Sequence, residues 1–95
     1  MKIYKYELGD LEVLEVKAYP RVKMPLKAEV LSAGLQGDTM VVWAAVPEEG
    51  WQEPMTTRTF AVLWTGQPLA AGELKGFIAT IQGRDGLVWH VFEEQ

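Results

Sequence analysis

Ninety-five residues with a formal charge of −4 and 48% hydrophobic content fit one small domain spanning 1–95, with enough apolar side chains for a core. The acidic balance repels polyphosphate at long range, which argues against a general nucleic-acid binder. With no cysteine, disulfides, thiolate metal sites and a thiol nucleophile are excluded.

The dominant hydrophobic period is two, the mark of half-buried strands. At the start, Tyr4, Tyr6 and Leu8 share one face, while Lys5 and Glu7 share the other. This alternation is not the long apolar run of a signal peptide, and no run reaches the ~18 residues of a membrane span. A soluble, cytoplasmic protein with no membrane partner is therefore expected. Leu14, Val16 and Ala18 alternate with Glu15 and Lys17 and predict a second strand. Pro20 and Pro25 then make residues 19–27 a loop or an edge crossing. Residues 28–35 predict a third strand, and Gln36-Gly37-Asp38 a tight turn.

The fourth strand, residues 39–46, is apolar on both faces, which predicts a covered central strand or an interface of a homo-oligomer. Residues 47–55 form a polar loop. The fifth strand, residues 56–65, sets Arg58, Phe60, Val62 and Trp64 on one side. Gly66-Gln67-Pro68 turns the chain. Residues 69–73 could form one short helical turn, but Gly72 and their brevity argue for a loop. Residues 75–82 and 87–93 are the last two strands, joined by Gly83-Arg84-Asp85-Gly86. Seven short strands predict an all-β antiparallel sandwich or partly open barrel.

Candidate chemistry is sparse. The single histidine, His90, shares a face with Val88 and Phe92. The single serine, Ser32, has no nucleophile elbow around it, so no catalytic residue is assigned and an enzyme is not expected. His90 is then either a packed side chain or a hydrogen-bonding wall of a ligand site. One histidine without cysteine cannot build the usual zinc sets, and Glu48-Glu49 lacks the spacing of a calcium loop. No metal or other cofactor is expected. The glycines sit singly at turns, without phosphate-loop spacing.

Binding residues are easier to nominate. Trp51 lies in a polar loop where no strand period demands an aromatic, so it is a recognition residue or a lid over a sheet end. Arg58 is the odd charge on an apolar face; it either reaches out to water or offers its planar fork to a carboxylate or phosphate. Tyr4 with Lys5 and Tyr6, and the cations Lys23, Lys27 and Arg84, complete the candidates for stacking and charge. Trp43, Trp64 and Trp89 fall in strands and are assigned to the core.

Several motifs recur together in one family: Ile3-Tyr4-Lys5-Tyr6, Met24-Pro25, Val42-Trp43-Ala44, Arg58-Thr59-Phe60, Thr65-Gly66-Gln67-Pro68, Gly76-Phe77-Ile78-Ala79-Thr80 and Leu87-Val88-Trp89-His90-Val91-Phe92-Glu93. In this combination the chain resembles a family of small uncharacterised proteins of bacteriophages and bacterial genomes, classed as a domain of unknown function. It departs from the family in a longer stretch over residues 9–22 and in extra residues in the loop that holds Trp51. The resemblance implies a phage-encoded accessory protein in the host cytoplasm that acts by binding a small molecule or a host protein. Three forms of that role are expected: sequestration of a nucleotide-derived signal in counter-defence, inhibition of a host factor through an acidic surface, or a structural part of a virion.

Overall fold

The computed structural model of the chain describes residues 1–48, 54–83 and 85–94. Their strands are β1 (Lys2–Asp10), β2 (Lys17–Ala18), β3 (Arg21–Pro25), β4 (Glu29–Gln36), β5 (Thr39–Val46), β6 (Met55–Trp64), β7 (Phe77–Gln82) and β8 (Val88–Glu93). All pair antiparallel. One sheet has three strands in the order β1-β5-β4; the other has five, β2-β6-β8-β7 with β3 also on β6. Among the described residues no ladder joins the two sheets, so this is an open sandwich and not a closed barrel.

The core follows from the alternation. On β5, Met40, Val42, Ala44 and Val46 point between the sheets; facing them are Phe60 and Val62 of β6 and Trp89 and Val91 of β8. Phe60, Met24 and Met40 have no exposed surface, and burying each such side chain contributes about 1.5–3 kcal/mol. A bulge between Glu7 and Gly9 keeps Leu8 in this layer.

Both central strands are covered on their second face as well. Val41, on the outer face of β5, is fully buried within the single chain, so that strand's double apolarity does not require a second subunit. Beside it, the Trp43 ring lies against Gly34, the register partner of Val41. On β6 the outward Ala61 and Leu63 form a second small core with Phe92, packed by Leu69 of the segment that crosses the sheet.

Four sequence expectations change. The alternation at residues 14–18 forms only a two-residue ladder, because the chain turns at Asp10, whose carbonyl accepts from the N–H groups of Val13 and Leu14. The region read as a loop or an edge crossing contains a true edge strand, β3; its Pro25 is tolerated because β3 pairs on one side only. Residues 71–76, placed in loop and strand, form a 3-10 segment, Ala71–Gly76. Trp43 is not in the core between the sheets: it is half-buried on an outer face. No helix of the described residues is long and apolar enough to cross a membrane.

Candidate binding cleft

The registers divide the site residues between the two ends of the sandwich. One end gathers the start of β1, the end of β5, the start of β6 and the end of β8, and it collects three of the residues nominated from sequence. Tyr4 is half-exposed and lines a depression of about 250 Å³ with Tyr6, Pro25 and Met55. Burial, with a smaller contribution from Tyr4, raises the Tyr6 hydroxyl pKa above its ordinary value. Arg58 lies nearby on β6, and Lys27 immediately precedes Ala28, which Arg58 contacts. Lys27 is exposed and already engaged within the fold. Trp51 and Arg84 lie outside the described residues.

Arg58 does offer its fork to a carboxylate, but the carboxylate is the chain's own. Its Nε donates to Glu93 Oε2 at 2.6 Å and its Nη2 to Glu93 Oε1 at 2.9 Å, while Nη1 donates to the Ala28 carbonyl. The side chains of the pair are 19% and 18% exposed, so the two charges satisfy each other largely out of water. The bonds to Glu93 hold the guanidinium pKa above its ordinary value. Arg58 therefore ties β6 to the end of β8 and to the start of β4, with its Nε–H and one N–H of each terminal nitrogen already engaged.

His90 lies elsewhere, on the outer face of β8. Its Nε2 is 2.7 Å from Thr65 Oγ1, and its Nδ1 is 3.0 Å from Thr80 Oγ1. A hydroxyl both donates and accepts, so the neutral ring donates to one threonine and accepts from the other. Both ring nitrogens are engaged in this bridge, and neither threonine is a carboxylate that would orient a catalytic base. Among the described residues no group of His, Asp and Glu is placed to hold a metal ion.

The opposite end holds a cleft that sequence reading missed. It has a volume of about 350 Å³ and is walled by Trp64 and Trp89 with Leu11, Leu35 and Leu87. The two indoles meet edge to face, with centroids 5.6 Å apart and planes at 86°. The carboxylates of Glu12, Asp38 and Asp85 also line it. Trp64 Nε1 is buried and has no hydrogen-bond acceptor among the described residues. That is unusual, since nearly all buried polar groups are paired. The available signal was positional: Trp64 ends its strand, and Asp38 beside Gly37 and Asp85 before β8 lie where strands end. Gly37 takes φ +59°, as the tight turn predicted there requires.

The fold and this cleft define a small all-β domain of two open sheets with a recognition-sized hollow at one end. By sequence the chain belongs to the domain of unknown function family DUF7352, which matches it over residues 1–95. No curated protein and no solved structure matches it significantly.

Proposed function

We propose that this chain is a non-enzymatic accessory binding protein, of phage or prophage setting, and that its recognition site is the cleft between Trp64 and Trp89. The observation that carries the reading is the open hollow of about 350 Å³ itself, walled by Trp64 and Trp89, with Glu12 and Asp85 exposed on its lining. Of the three roles expected from sequence, action on another protein is favoured. Sequestration of a nucleotide-derived signal needs converging cations, whereas Arg58 is committed to Glu93 and the cleft is lined by carboxylates.

The test is native mass spectrometry of the protein purified from its host, beside the Trp64→Phe variant. A retained partner or mass increment that the variant loses supports the reading. A partner retained equally by both places recognition away from the cleft and overturns it.

A further inference from the structure

We propose that β1 is a self-association edge: two copies of this chain pair their β1 strands antiparallel about a two-fold axis at Tyr6, and Lys5 of each copy faces Glu7 of the other. This goes beyond the cleft and does not depend on it, since no residue of β1 lines the cleft.

The strand has an open side. A sheet edge presents a row of unpaired main-chain N–H and C=O groups, which a further strand can take up. β1 runs over nine residues, and among the described residues it pairs only with β5. Lys2, Ile3, Tyr4, Lys5 and Glu7 are exposed along it, Ile3 at 63% and Tyr4 at 49%. Aromatic side chains of this kind are enriched where proteins meet.

Charge complementarity selects the second copy and its register. Tyr4 and Tyr6 stand opposite Ala44 and Val42, which face the core, whereas Lys5 and Glu7 stand opposite Trp43 and Val41 on the outer face. Opposed residues of a continuous sheet share a face, so a two-fold pair of β1 strands must be centred on a residue. Centring on Tyr6 sets Lys5 against Glu7 twice, with the two Tyr6 side chains adjacent at the axis. Centring on Lys5 or on Glu7 sets like charges face to face, which is destabilising, and centring on Tyr4 matches neither charge. Charges that guard an edge against random pairing thus admit one register. The bulge between Glu7 and Gly9 ends the regular ladder, so the central pairs carry it. Lys5 Nζ already donates to Gln36 Oε1 at 2.8 Å, an exposed contact, and an ammonium has further donors for a carboxylate. Two-fold pairing uses up both β1 edges and closes as a dimer.

The test is sedimentation velocity over a dilution series for wild type, Lys5→Glu, Glu7→Lys and the charge-swapped Lys5→Glu/Glu7→Lys. Wild type is expected to dimerise. Each single variant should raise the dimer Kd about tenfold or more, because two attractive contacts become repulsive, and the swap should return it close to wild type. Both positions are exposed, and circular dichroism of the single variants checks that the fold is kept. Hydrogen exchange gives a second readout: amides of residues 4–8 should be slowed at high concentration in wild type and not in Glu7→Lys. A wild-type monomer at every concentration overturns the proposal. So does a dimer indifferent to the single changes, or a swapped variant no better than they are.

Discussion

The sharpest test of the packing is Gly76→Ala. Gly76 is buried where the 3-10 segment meets the end of β8. A Cβ there would overlap the Glu93 carbonyl oxygen and lie 2.8 Å from its carbon and 3.2 Å from its nitrogen. These are main-chain atoms of a paired strand, so they cannot rotate away as a side-chain tip would. Relief requires moving the segment or the end of β8, and the latter carries the carboxylate that chelates Arg58. Overpacking costs about 1–3 kcal/mol, and loosening charge-assisted hydrogen bonds adds about 1.5–3 kcal/mol. A total of about 3–5 kcal/mol is a large share of the roughly 5–10 kcal/mol available to a domain of this size. The expected loss in Tm is about 12 °C or more, taking roughly 4–8 °C per kcal/mol. Gly72→Ala is the internal control, because a Cβ at Gly72 meets nothing within 4 Å in the same segment; it should be neutral or slightly stabilising. Urea and thermal unfolding of both variants decide the matter. A Gly76→Ala protein within about 1 kcal/mol of wild type, a difference typical of ordinary substitutions, would refute the close approach of segment and strand.

Three further outcomes are expected. Glu93→Gln, which leaves Arg58 half-buried without its counter-charge, should cost about 2–4 kcal/mol in urea unfolding, and Arg58→Met/Glu93→Leu should recover part of that loss; a double variant as unstable as the sum of the two single ones contradicts the pairing. His90→Ala should cost about 0.5–1.5 kcal/mol, the worth of exposed neutral hydrogen bonds to Thr65 and Thr80, and should not disturb the Trp64 indole resonance. Because the folded pKa of Tyr6 is raised, its contribution to stability is complete below the unfolded value of about 10 and declines as pH rises through the folded value; Tyr6→Phe should show a shallower alkaline loss than wild type between about pH 9 and pH 11, and identical slopes would show that Tyr6 ionises freely in the fold.

Period-two patterning located the strands that lie inside the sheets, because a strand buried on one face must alternate and one buried on both must be apolar throughout. Thus residues 39–46 coincide with β5, and the later strands agree to within two residues. The errors fall where partners, not local pattern, decide. Leu14 and Val16 alternate as a strand would, yet their segment finds only the two-residue ladder at Lys17–Ala18. Arg21–Pro25 carries a proline and still pairs, because it sits on an edge. The same holds for the sites. Arg58 stood out as a charge on an apolar face, and its fork does take a carboxylate, but nothing local indicates that Glu93, 35 positions away, supplies it. The cleft draws on four separated stretches of chain, and its tryptophans obey the strand period: Trp89 is core as read, while Trp64 packs against the core and is left at the cleft wall.

The contrast between the two ends of the sandwich carries the functional argument. Every open sandwich exposes strand termini at both ends, and polar groups there must find water or partners. At one end the chain supplies its own: the Arg58 guanidinium donates to both Glu93 carboxylate oxygens and to the Ala28 carbonyl. At the other end Trp64 and Trp89 wall a hollow large enough for a guest, with Glu12 and Asp85 exposed on its lining. The two ends therefore predict opposite responses to a partner. Binding in the cleft should stabilise the fold with the logarithm of ligand concentration, by about 2.7 kcal/mol at a hundredfold excess over Kd. An anion offered to the Arg58 end competes there with the Glu93 carboxylate that already chelates the guanidinium.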